Sequence, residues 1–132
     1  MTPTIAFAAA FLVTLALLVV VAWSGMRAKR RVHIPAVGLT VVALAVTIWF
    51  AYRLGAVYDL ESAGVITPIH LFLARFATLS IVITIVFGLR TLFVPKSLRF
   101  HKRLAWFSLT IVVLAAITGV VMIVLASPIP SR

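Results

Sequence analysis

The sequence predicts an all-α integral membrane protein whose four helices run up-down-up-down as a bundle. Three observations carry this reading. Hydrophobic residues make up 64% of the 132-residue chain, against about half in a soluble domain, which must turn a polar surface to water. They fall into four stretches, residues 5–23, 34–52, 69–89 and 104–126, each near the roughly 20 residues that carry a helix across the hydrocarbon layer. The charged residues collect between the stretches rather than within them.

The first stretch has no basic residue before it, a run longer than a signal-peptide core, and basic residues directly after it. It therefore reads as a retained helix that enters the membrane N-terminus outward. Pro35 and Pro68 fall near the starts of the second and third stretches, where a missing N–H costs nothing. Pro128 and Pro130 follow the fourth and help to stop it.

The first connection holds Arg27, Lys29, Arg30 and Arg31; the third holds Arg90, Lys96, Arg99, Lys102 and Arg103. The second, residues 54–67, holds Asp59 and Glu61, the two acids of the chain. Lysine and arginine mark cytoplasmic loops, so both termini are expected outside and both basic loops in the cytoplasm of a bacterial inner membrane. Short loops make neighbouring helices antiparallel. The second and fourth helices then both begin at the cytoplasmic face. A single transmembrane domain is expected throughout.

A net charge of +10 on a soluble surface would suggest nucleic acid. Set beside membrane ends, it is a topology signal, with anionic lipid as the partner and no nucleic acid expected. The chain has no cysteine, which excludes disulfides and thiolate metal sites. With two acids and no phosphate loop, zinc signature or Ser/His/Asp set, hydrolytic acid–base chemistry has little to work with. Redox or structural roles remain.

Each of the three histidines opens a stretch. At helical spacing below His33 lie Ala36, Thr40, Ala43, Thr47 and Ala51. Below His70 lie Ala74, Ala77, Ile81, Thr84 and Gly88; below His101 lie Ala105, Ser108, Val112, Ala115, Gly119 and Met122. Stripes of small residues are either helix–helix interfaces or room for something flat. Both readings turn the imidazoles away from lipid, where an unpaired polar group is expensive. His33 and His101, heading parallel helices at one depth, are the candidate pair of axial ligands for haem b, with copper the other candidate. Arg30, Arg31, Arg99, Lys102 and Arg103 would meet the propionates. His70 with Met122 is a second candidate metal pair, near the opposite membrane face. Arg75 lies within the third stretch and is expected to pair with Asp59 or Glu61, since a bare charge there costs a few kcal/mol.

The segment Arg99-Phe100-His101-Lys102-Arg103-Leu104-Ala105, with Thr118-Gly119-Val120 later in the same helix, resembles a four-helix bacterial membrane family. That family includes the CtaM-type factors needed to assemble haem–copper oxidase. Arg30-Arg31-Val32-His33 and Pro68-Ile69-His70 are similar to its other helix starts, and the likeness covers roughly residues 30–126. Where the family often carries a methionine after the first histidine, this chain reads Ile34-Pro35-Ala36-Val37. Small four-helix b-type cytochromes share the same placing of histidines at helix ends. The resemblance implies a respiratory setting, in electron transfer or terminal-oxidase assembly, with His33, His70 and His101 as the matching positions and respiratory complex subunits as partners. A non-catalytic accessory subunit of a larger membrane complex is the alternative.

Overall fold

Four helices form because four long apolar segments must satisfy their backbone polar groups internally once water is excluded. The computed structural model describes residues 2–129. Its helices are α1 (Pro3–Met26), α2 (Arg30–Leu54), α3 (Ile66–Arg90) and α4 (Leu98–Leu125). Short 3-10 turns at Leu60–Ala63 and Pro95–Ser97 and two-residue strands at Tyr58–Asp59 and Ser127–Pro128 complete the order. All four helices are long and apolar enough to cross a membrane. Their outward faces carry bare apolar side chains: Leu12, Val42, Phe72 and Val124 are 64%, 62%, 68% and 76% exposed. Such faces belong in lipid, and the chain is an all-α integral membrane protein.

The helices outrun the apolar stretches, because a helical backbone continues through the headgroup region until a turn stops it. α2 starts at Arg30, so Pro35 is its sixth residue and lies inside the helix, past the four free N–H groups of the first turn. The expectation that Pro35 is harmless at a helix start is corrected: its ring removes the bond that would run to the Arg31 carbonyl. Pro68, third residue of α3, keeps the harmless position. α4 ends as expected just before Pro128, with Ala126 extended; Pro130 lies outside the described residues.

The chain divides into two compact units, one built on α1 and α2 and the other spanning Asp59–Pro128. Each contains an antiparallel helix hairpin. In the first, α1 is stopped by a Schellman turn: the Lys29 N–H reaches the Ser24 carbonyl at 2.9 Å and the Ala28 N–H reaches that of Gly25 at 3.2 Å. Ala28 takes the left-handed conformation, φ 52°. The turn reverses the chain within three residues and lays α2 back along α1. The seam is made of small residues, with Ala36, Thr40 and Thr47 of α2 and Thr14 of α1 buried. Thr14 and Thr47 join hydroxyls at 2.9 Å while each donates to, or stands by, its own helix carbonyl.

In the second hairpin Ala77 and Ser80 of α3 face Ser108, Ala115 and Met122 of α4, all buried. The Ser108 hydroxyl lies 2.7 Å from that of Thr84 and donates to the Ser80 carbonyl at 3.1 Å. The three α4 residues are seven apart, and His101 continues the series, which is the spacing of interlocking antiparallel helices. Small side chains let the backbones approach, so dispersion and hydroxyl bonds hold the pair where lipid offers no hydrophobic drive. The segment before α3 is tied down locally: Asp59 accepts from the Glu61 N–H, Ser62 accepts from the Ser127 N–H at 2.8 Å, and Thr67 donates to Leu60.

Candidate functional site: three histidines seated on glycines

The histidines stand in the first turns of their helices, His33 fourth in α2, His70 fifth in α3 and His101 fourth in α4. Side chains in a helix lean toward its N-terminus, so each ring reaches across to the partner helix of its own hairpin. His33 Nδ1 lies 3.1 Å from the Val21 carbonyl and 3.2 Å from Ser24 Oγ, both on α1. His101 Nδ1 lies 3.2 Å from the Thr84 carbonyl on α3. His70 Nδ1 lies 3.1 Å from the Ala115 carbonyl and 3.3 Å from Thr118 Oγ1 on α4.

A glycine sits under every ring. A Cβ placed on Gly25 would stand 3.1 Å from His33 Cε1; on Gly88, 3.0 Å from His101 Cε1; on Gly119, 2.8 Å from His70 Cε1. In all three cases the acceptor carbonyl belongs to the residue four before the glycine, Val21, Thr84 and Ala115. That carbonyl already accepts the glycine N–H in the helical ladder, and its second lone pair takes the imidazole. The rule is one device used three times: a missing side chain admits the ring, and the carbonyl one turn back holds it. Since a carbonyl only accepts, the neutral ring carries its proton on Nδ1 and its lone pair on Nε2.

The small-residue stripes thus line the seam inside each hairpin, as the interface reading expected. The sequence reading paired His33 with His101 and overlooked Val21, Ser24 and Gly25 of α1. Gly25 stands eight residues before His33 across a tight turn, a signal that a glycine near a helix end marks a seat for the next helix's first large polar group. Gly88 and Gly119 were visible in the stripes, but not as the floor beneath a histidine.

The remaining candidates sort by position. His33 is carried by the first unit, His70 and His101 by the second. Arg30 and Arg31 are exposed at the start of α2; Arg99, Lys102 and Arg103 are exposed at the start of α4. Arg99 lies about 160° around the helix from His101 at about 100° per residue, and it lines a groove with Lys96 and Lys102. Met122 is buried in the seam, 6% exposed, three residues beyond the glycine under His70. Among the described residues no group of three or more His, Cys, Asp or Glu comes together.

Arg75 departs from expectation. It is exposed, and no ion pair links it to Asp59 or Glu61 among the described residues. The physical reason is local: the acidic segment is bound to its own turn and to Ser127, while Arg75 stands on the α3 face with exposed Phe72 and Leu79, turned from the α4 seam. No family model, no curated protein and no solved structure matches the chain.

Proposed function

We propose that this chain is a small haem-handling membrane protein serving electron transfer or the assembly of a respiratory terminal oxidase. His33 in the first unit and His101 in the second are each an imidazole suited to an axial position on the iron of haem b. The observation that carries this reading is the shared state of the rings: each gives Nδ1–H to a main-chain carbonyl. Metal-ligating histidines are held in this way, by a bond from the other nitrogen that fixes tautomer and orientation and raises basicity. The donor set suits a porphyrin better than a bare ion. Zinc asks the protein for three or four ligands, whereas haem iron asks for one or two axial groups. Copper is the alternative for the same imidazoles, and His70 with Met122 offers a His/Met set of the kind both metals accept.

When bound, haem would supply a one-electron iron couple. The chain's own part is to hold and orient. Gly25 and Gly88 admit the rings, and the Val21 and Thr84 carbonyls fix them. Arg30, three residues before His33 and so on its side of α2, gives positive charge for a propionate, and Arg31, Arg99, Lys102 and Arg103 add to the positive charge at the starts of α2 and α4. The resemblance to the oxidase-assembly family supports the respiratory setting, and the loop charges support a bacterial inner membrane with both termini outside.

The test is a visible spectrum of the detergent-purified protein, before and after incubation with haem and desalting. A reduced b-type α-band lost in His33→Ala and His101→Ala is expected. A band that survives both substitutions, or none at all after haem is added, refutes the assignment.

The exposed Arg75, which makes no ion pair among the described residues, favours a second reading, a non-catalytic accessory subunit whose α3 face meets a carboxylate of a larger complex. It expects a colourless isolated protein. On native gels of solubilised membranes, Arg75→Ala and not Thr78→Ala would release the chain from a larger band.

A further inference from the structure

At the turn from α3 to α4, three cations share one hollow. Lys96, Arg99 and Lys102, with Pro95 and Leu98, line a shallow groove open to its surroundings. The 3-10 turn Pro95–Ser97 runs straight into α4 and brings Lys96 beside the helix's own Arg99 and Lys102. Pro95 restricts its backbone, and Ser97 Oγ donates to the Val94 carbonyl at 2.7 Å, so the turn is fixed. Among the described residues no ion pair is made by the three cations. Asp59 and Glu61 precede α3 at its far end, roughly 37 Å of helix away.

The chain on either side of these cations carries exposed apolar side chains. Leu92, Phe93, Val94 and Phe100 are 47%, 83%, 40% and 53% exposed, side chains suited to acyl tails just below a headgroup. In the first basic loop, by contrast, Lys29 is held over the Trp23 ring, 4.5 Å from its centroid. Three cations around a shallow groove at the end of a membrane-length helix, with exposed apolar side chains next to them in the chain, match a phosphodiester with tails attached.

We propose that this groove is a binding site for the headgroup of an anionic phospholipid, with Lys96, Arg99 and Lys102 contacting its phosphate oxygens. It stands independently of any cofactor on the histidines. Diffuse attraction to an anionic surface depends on how many cations there are, about fivefold in affinity for each. A built site depends on which cations they are.

The experiment is native mass spectrometry of the full chain released from micelles holding equal phosphatidylglycerol and phosphatidylcholine. The wild type should retain phosphatidylglycerol in preference. Lys96→Gln/Arg99→Gln/Lys102→Gln should lower that retention roughly tenfold or more beyond the loss in Arg27→Gln/Arg30→Gln/Arg31→Gln, which removes the same number of charges. Lys96→Arg/Lys102→Arg keeps the charge and should keep the lipid, which separates loss of the site from loss of the fold. Equal retention of both lipids by the wild type overturns the proposal without any variant. So do equal losses in the two neutralised triples. Complete displacement by millimolar inorganic phosphate assigns the groove to free phosphate and overturns the lipid assignment.

Discussion

Replacing Gly119 with alanine puts a methyl group 2.8 Å from His70 Cε1 and 3.2 Å from its Nδ1. Real Cβ atoms essentially never approach closer than 3.0 Å, and ordinary contact starts at 3.4 Å, so the ring or the helix must retreat by about 0.2–0.6 Å. The ring is not free to do so, because Nδ1 is held at 3.1 Å by the Ala115 carbonyl. Such a retreat stretches the bond and at its upper end breaks it. Losing a side-chain bond inside a membrane costs about 0.6 to 2 kcal/mol, and overpacking a tight seam costs a further 1–3 kcal/mol or so. Alanine returns up to about 1 kcal/mol of helix propensity. The net expectation is a loss of about 1–4 kcal/mol. Gly38, with nothing within 4 Å of its Cβ position, is the control, and Gly38→Ala should be neutral or stabilising. Thermal unfolding in detergent should rank the variants Gly119→Ala, Gly88→Ala, Gly25→Ala, Gly38→Ala from least to most stable. A double-mutant cycle with His70→Ala isolates the contact, since removing the ring removes the obstacle. Additivity between Gly119→Ala and His70→Ala, or a Gly119→Ala protein as stable as wild type, would refute the seat as described.

Two further expectations use the same assay. Ala28 occupies, with φ 52°, the Schellman position where glycine pays no steric penalty, so Ala28→Gly should raise stability by about 1 kcal/mol; an unchanged or lowered midpoint would contradict the left-handed turn. Ser108, 4% exposed against Thr84 and Ser80, leaves no room for a larger group. Ser108→Leu should therefore destabilise by about 1–3 kcal/mol through overpacking, well beyond the roughly 0.6 kcal/mol expected of Ser108→Ala, and equal effects would show that volume does not govern the seam.

The legible part of the site was its faces. The stripes under His33, His70 and His101 follow from helical spacing alone, and Thr40, Thr47, Ala77, Ser108 and Ala115 are buried where the spacing put them. The illegible part was the partner of each face. A stripe of small residues is compatible with any neighbour, so spacing alone did not identify the glycine on the partner helix of each hairpin. Arg75 shows the same limit from the other side. A charge in an apolar stretch demands a partner on average, but where the acids go is decided by their own turn, through Asp59 with Glu61 and Ser62 with Ser127.

By itself the sequence determined the lipid-embedded all-α class, the number of membrane-length helices and which side of α2, α3 and α4 would be buried. These follow from chain-local quantities: apolar length against bilayer thickness, and the period of small residues. Only the tertiary structure decided that each imidazole lies over a glycine and bonds the carbonyl one turn before it. That choice depends on the relative height of two helices, fixed in the first hairpin by the turn at Ala28 and in the second by the packing of Ser108 against Thr84. Relative height is a property of pairs of segments, and no single stretch of residues encodes it.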